Sequence, residues 1–408
     1  MPGHRPSAGG RAFRSRMENR ALFCHNRLMN ASNAHNAAPS RPARLWPRFC
    51  IAGGLLVAAG GLMAIFQQAG NAFFPGYRAF SKGLEGALAA LSGIAPFSLW
   101  DILAIPLAIA LVATFVFCLV KKRSLVAWLA NVCIIVAAML LFLVGAWGLN
   151  HYAPPLSDEL GIEIREYSAD ELEAATAYYL EQAGALAAQV PRDEDMTLER
   201  QDFHELATIA GAGYEPLSST YPLFEGSTAP VKELLVAGEP LLYSGHTGIF
   251  WPFTGEANVP SNIAIAEEPF IMCHEAAHRL GIASEQEANF AGFLACEASD
   301  DVRFAYSGYY EAFCYCLNAL AANYPQRAQS LIETAIGAEV DPSNTKTYGA
   351  RLVLFDRYCT AEHYQAYEGP AEDVGVAVND AYLKTFSEES GVKSYGEVAD
   401  YLIAWHLK

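Results

Sequence analysis

Charge is scarce in this chain. Only 17% of its 408 residues are Asp, Glu, Lys or Arg, against ~25% in an ordinary soluble domain. Positive charge is the scarcer sign: 27 Lys and Arg face 44 Asp and Glu, a formal net charge of −17. That deficit excludes nucleic acid as a partner bound by phosphate neutralisation. The nine cysteines contain no CxxC pair and are too sparse for a disulfide scaffold, which excludes zinc-ribbon and thioredoxin-type sites. The GxSxG elbow of serine hydrolases and the GxxxxGK[ST] phosphate loop are both missing. No repeat of fixed period exists, so solenoids and propellers are excluded too. Asp193-Glu194-Asp195 is a solvated acidic turn, because it lacks the glycine and terminal glutamate of a calcium loop.

What is present is unevenly spread. Residues 1–149 carry 14 Lys and Arg but only three acids, Glu18, Glu85 and Asp101. Residues 150–408 hold 13 Lys and Arg against 41 acids. The long apolar runs also fall before residue 150. Residues 49–66 and 125–149 contain no charge, and 99–120 contains only Asp101. Each run is close to the ~17–25 residues that cross ~30 Å of hydrocarbon as a helix. Three membrane spans, and hence a lipid bilayer as partner, are expected over 48–149. Pro106 is tolerable in the second, since membrane helices accept proline.

Basic residues set the orientation. Nine arginines precede the first run, and Lys121-Lys122-Arg123 joins the second to the third. The connection between the first two runs has only Arg78 and Lys82. The positive-inside rule puts the N-terminus in the cytoplasm and, after three spans, residues 150–408 outside it. Residues 1–47 read as a disordered basic arm rather than a cleavable signal, with the first span as signal anchor. The stretch 67–98 has apolar residues at helical spacing. It lies on the outer membrane surface or packs on the external domain.

Residues 150–408 suffice for one large domain. Ser168-Ala-Asp-Glu171 is a capping box ahead of a helix to about Gln189, stopped by Pro191. A second helix is expected over Leu198–Ile209. Between 216 and 265, Gly, Pro, Ser and Thr punctuate short β-like runs such as ELLVA and GIFWPF. Helical patterning returns from Pro269. The expectation is an α+β domain, mainly helical, with a small sheet.

One motif carries chemistry. His274-Glu275-Ala276-Ala277-His278 is HExxH. Residues four apart share one helix face, so both imidazoles can reach a single Zn²⁺ at about 2.0–2.1 Å. Glu275, next to the first histidine, can then act as general base on a water. Gly281 stands where a glycine ends such a helix. A catalytic zinc wants a third protein ligand and an open position. The following helix, starting at Ser284, offers Glu285 and Glu287, which point about 200° apart and cannot both face the metal. Ser284-x-x-Glu287 reads as a capping box, which favours Glu285 as ligand and keeps Glu287 as the alternative. Asn289 shares the face of Glu285 and can brace a ligand.

HEAAH followed by EQEAN resembles the gluzincin arrangement, in which a glutamate on a following helix completes the site. Glu285, Ala288 and Asn289 match its E-x-x-A-Asp/Asn pattern. Residues 45–408 also resemble an uncharacterised family of bacterial membrane proteins, a domain of unknown function, with three spans and an HExxH ectodomain. The matching pieces are GIFWPFTGEANV, HEAAHRLGIASEQEANF, FAYSGYYEAF and VNDAYLKTFSEESGVKSYGEVADYLI. The resemblance implies an α-helical membrane anchor plus a zincin-like metallopeptidase domain in the bacterial cytoplasmic membrane, with no substrate attached.

Weaker candidates surround the motif. Gly248–Val259 is an edge strand that pairs with extended peptide substrate, or an ordinary strand and turn. His246, Tyr306, Tyr309, Tyr310 and Glu256 are candidates for contact with the oxyanion or the substrate. Cys273 and Cys296 flank the site helices, and buried cysteine commonly serves as a small hydrophobe. The motif lies more than a hundred residues beyond the last span, which argues against an intramembrane site. Two functions follow from different classes. One is a membrane-anchored zinc metallopeptidase acting on a peptide or protein outside the cytoplasmic membrane. The other is a non-catalytic envelope sensor or assembly protein with a structural or vestigial metal site.

Overall fold

The computed structural model describes residues 45–337, 345–386 and 398–408. The expected basic arm lies outside these as far as residue 44, and its last residues are already helical. Helix α1 runs Trp46–Ser92, α2 Leu99–Val120 and α3 Leu125–Ala146. Three stretches are long and apolar enough to span a bilayer: Trp46–Gly70, Leu99–Val120 and Leu125–Ala146. Large apolar side chains such as Leu103, Ile109, Val112 and Phe117 stand exposed on them, as lipid-facing helix surfaces require. The chain is thus anchored in a membrane by three apolar helices.

Two boundaries differ from expectation. The third span stops at Ala146 rather than Leu149, and a 3₁₀ turn over Gly148–Tyr152 follows. The stretch after the first span continues α1 as far as Ser92, across a break in helical geometry at Ala69. This continuation packs on the rest of the protein. Ser81, Glu85, Ala89 and Ser92 are buried at helical spacing. Arg78 pairs with Glu159, and Lys82 donates to the carbonyls of Leu223 and Glu225.

The remaining chain is mainly helical. Apart from short turns of helix, it forms α4 (Ala169–Ala187), α5 (Phe203–Ala212), β1 (Lys232–Leu234), α6 (Gly238–Tyr243), β2 (Ile249–Trp251) and β3 (Glu256–Pro260). Then come α7 (Glu268–Arg279), α8 (Glu285–Glu297), α9 (Val302–Asn323), α10 (Pro325–Gly337), α11 (Thr345–Gln365), α12 (Pro370–Thr385) and α13 (Val398–His406). The expected capping box at Ser168 and Glu171 forms at the start of α4. Helix α5 begins later than expected, because the side chain of Asp202 caps it by accepting from the Glu205 N–H at 2.8 Å. The sheet has the order β1-β3-β2, with β1 parallel and β2 antiparallel to the central β3. β2 is therefore an edge.

Helix α7 is the centre of the fold. Every one of its residues except His274 is buried. It lies between the sheet and helices α8, α9 and α5. Ala288, Ala291, Gly292 and Ala295 give α8 a narrow buried face, which lets it approach α7 closely. Tyr214 donates to the carbonyl of Cys273 at 2.9 Å, and Ser307 donates to Ala266 at 2.7 Å and accepts from the Phe270 N–H. These bonds fix the entry and the middle of α7. Gly281 ends the segment with φ of 81°, in the left-handed region.

Anchor and sheet cap each other. The Glu256 carboxylate, on β3, accepts the free N–H groups of Leu99 and Trp100 at the start of α2, at 3.1 and 3.4 Å. Asp101, in the first turn of α2, accepts from the N–H groups of Leu235, Val236 and Ala237 after β1. Buried Lys232 of β1 donates to the carbonyls of Ser92 and Ala95 in the connection between α1 and α2.

Candidate metal centre

His274 and His278, one turn apart on α7, turn their Nε2 atoms towards each other at 3.1 Å. Glu285, the first residue of α8, places Oε2 at 3.4 Å from His274 Nε2 and 3.8 Å from His278 Nε2. A tetrahedral zinc with ligands at 2.0–2.1 Å separates them by about 3.3–3.4 Å. The three atoms therefore bracket the edge length of that tetrahedron. Among the described residues, these three form the one group of His, Cys, Asp and Glu side chains able to share an ion.

The charge states of His278 and Glu285 suit a cation. His278 Nδ1 faces the Ile282 carbonyl at 2.7 Å, so that nitrogen carries the hydrogen and Nε2 keeps its lone pair. Burial first, then the neighbouring His274, push the His278 pKa down to about 4. Burial opposes ionisation of Glu285, but its hydrogen bond with His274 and the charges of both histidines hold it down at about 2. For His274, burial is outweighed by the Glu285 hydrogen bond, nearby carboxylates and Asn289, and its pKa rises. Near neutrality the group offers a carboxylate and a neutral imidazole lone pair, held in an electronegative setting.

Glu275 points into the same cleft but is not part of the ligand triangle. Burial raises its pKa to about 8. Its Oε2, like Asn289 Nδ2, is buried without a hydrogen-bond partner among the described residues. Gly248, one residue before β2, lies so close that a Cβ there would fall 2.4 Å from Glu275 Oε1. Only glycine allows the edge strand to start against that carboxylate. The cleft has a volume of about 810 Å³, within the usual range for ligand sites. Gly375, Val378, Asn379 and Tyr382 of α12 also line it.

The other residues singled out from the sequence divide. His246 lines the cleft, with Nδ1 at 3.0 Å from Ser244 Oγ, and Asn289 lines it beside His274. Glu287 points elsewhere, but not as a helix cap. Ser284 makes no side-chain cap, and Glu287 Oε1 accepts from the Leu156 N–H at 2.7 Å and the Tyr401 hydroxyl at 3.0 Å. Tyr306, Tyr309 and Tyr310 lie outside the cleft. Their hydroxyls bond Asp356, Glu297 and Thr360, because α9 directs these residues into the helical core. Glu256 also lies outside, engaged in capping α2. Cys273 and Cys296 are buried free thiols.

Sequence reasoning missed Trp147, Tyr315 and Tyr382, all in the lining. It also missed the carboxyl pair Glu267 and Glu311 at one end of the cleft. Tyr364 donates to Glu267 Oε2 at 2.9 Å. Burial raises the Glu267 pKa to about 7, and burial plus the Glu267 charge hold Glu311 well above the ordinary carboxyl value. Because the folded values are raised, the pair's contribution is complete below about pH 4 and is lost as pH climbs through 7. Replacing Glu311 with Gln removes one of the two charges. The expected gain in stability is near zero at about pH 3 and at least ~1 kcal/mol at about pH 8. Thermal unfolding of the detergent-solubilised protein at both pH values checks this, and equal shifts at the two would contradict it.

A family model described as a protein of unknown function (DUF3810) matches residues 77–403. The chain belongs to that family. No curated protein and no solved structure matches it.

Proposed function

We propose that this membrane-anchored member of an unknown-function family is a zinc-dependent metallopeptidase, with its catalytic domain outside the cytoplasmic membrane. The observation that carries the reading is the separation of His274 Nε2, His278 Nε2 and Glu285 Oε2 by 3.1–3.8 Å, with Glu275 beside them and outside the triangle. A helix bearing HExxH, a following helix bearing the third ligand and an edge strand along the cleft make up a zincin-like arrangement. Bound to His274, His278 and Glu285, zinc would supply a Lewis acid that polarises a carbonyl and acidifies water.

The chain's own residues do the rest. Glu275, whose carboxylate form a cation bound beside it would favour over the effect of burial, takes a proton from the attacking water and delivers it to the leaving nitrogen. The water oxygen bonds to the carbonyl carbon, the C–N bond breaks, and a carboxyl and an amine result. Edge strand β2 offers its unpaired backbone side to an extended peptide. His246 and Tyr382 line the cleft and can donate to the oxyanion. The external placement of the domain rests on the basic residues of the N-terminal arm and of the 121–123 turn.

The purified full-length protein is expected to contain about one zinc per chain. It should cleave members of a mixed peptide library in a chelator-sensitive way. Absence of bound metal near neutral pH would overturn the reading. Bound metal with no cleavage of any library member would instead favour the non-catalytic envelope protein.

A further inference from the structure

The cleft is partly built by the membrane anchor. Leu143, in the last turn of α3, lines it, as does Trp147 just beyond. Trp147 Nε1 donates to the carbonyl of His278 itself at 2.8 Å. The opposite lip leans on the spans as well. Trp251, at the end of β2, packs on Trp100 of α2 with ring centroids 3.8 Å apart. Phe253, in the next turn, stacks on Phe142 of α3 at 5.2 Å. Helix α3 has 22 residues, about 33 Å of length at 1.5 Å per residue. That matches a hydrocarbon core of ~30 Å, so its last turn lies at the boundary. Trp100, Trp147 and Trp251 sit at that level, where indole rings favour the membrane–water interface.

The edge strand therefore runs from the bilayer boundary to the catalytic carboxylate. Trp251 marks the first end and Gly248, against Glu275, the second. Three residues of extended chain cover about 10 Å. We propose that the cleft takes polypeptides tethered by their own membrane-spanning segment, and cuts them about three to five residues from the bilayer surface. This rests on the peptidase reading above. A substrate leaving the membrane beside Trp100 and Trp251 would pair with β2 and reach Glu275 after that distance. The apolar wall formed by Leu143, Phe250, Trp251 and Val378 suits the apolar residues that flank a span.

The test uses the full chain and its Glu275→Gln variant in vesicles of phosphatidylethanolamine and phosphatidylglycerol. The probes are a randomised peptide segment joined to a membrane helix of about 20 apolar residues, and the same segment free in solution. Spacers between segment and helix range from about two to about sixteen residues. Co-localisation alone would speed every tethered probe regardless of spacer. The geometry instead expects Glu275-dependent cuts within about five residues of the helix, at least ~10-fold more frequent than cuts beyond ten. Cuts spread evenly along long spacers, or free peptides cleaved equally well, would overturn the proposal and leave the peptidase reading standing. No Glu275-dependent cleavage in either format would overturn both.

Discussion

Replacing Glu275 with Gln leaves the metal in place and lowers peptide hydrolysis by at least ~10²–10⁴-fold, the range typical of losing a general base. The substitution keeps the size of the side chain, so the tight contact with Gly248 is preserved. It touches none of the three atoms of the ligand triangle. Glu275 Oε2 has no hydrogen-bond partner among the described residues, so an amide there breaks none of their bonds. The variant also removes a buried ionisable group whose charged form burial disfavours, so the metal-free variant should melt at or above the metal-free parent near neutral pH. Metal content by atomic emission, product formation by mass spectrometry and a thermal melt together check this. Full activity in a metal-loaded Gln variant would remove Glu275 from the chemistry.

Glu285 and Glu287 stand two residues apart and should respond oppositely to alanine. Glu285→Ala takes away one of three ligands and is expected to weaken metal binding by more than the ~10–100-fold that loss of a supporting residue costs. Its hydrogen bond and ion pairs run to the two histidines, so the fold should tolerate the change. Glu287→Ala should keep the metal and lose stability. It strips the Leu156 N–H and the Tyr401 hydroxyl of an acceptor, a cost of about 1–3 kcal/mol. Equilibrium dialysis with zinc and thermal unfolding of both variants separate the two roles. A metal-free Glu287→Ala beside a metal-loaded Glu285→Ala would reverse the assignment.

The parts of the site legible in the sequence are those set by local helix geometry. His274 and His278 share a face because they are four residues apart. Glu285 could be preferred over Glu287 because two residues on a helix point apart. The capping box that the spacing suggests for Glu287 does not form. The partners of Glu287 come from residues 156 and 401, and no local pattern announces bonds across such separations. The same blindness explains Tyr306, Tyr309 and Tyr310. A tyrosine near a motif looks available until the elements that occupy its hydroxyl are in place. Trp147, Tyr315 and Tyr382 reach the cleft from distant segments and carry no spacing signal. The spans were legible because hydrocarbon thickness sets a length. The rest of α1 was less so, because hydropathy falls after residue 66 while the helix continues against other parts of the fold. Separation in sequence also misled on depth. The motif follows the last span by more than a hundred residues, yet the end of that span forms one of its walls.

The reciprocal bonding of Glu256 to the start of α2, and of Asp101 to the backbone after β1, leaves no swivel between anchor and body. A head on a loose stalk sweeps a volume and meets whatever is dissolved there. A head welded to its stalk travels only as the stalk does, sliding sideways in two dimensions. For the membrane-tethered substrates proposed above, its encounters are then governed by how crowded the sheet of lipid is, and dilution of the surrounding fluid should barely alter them.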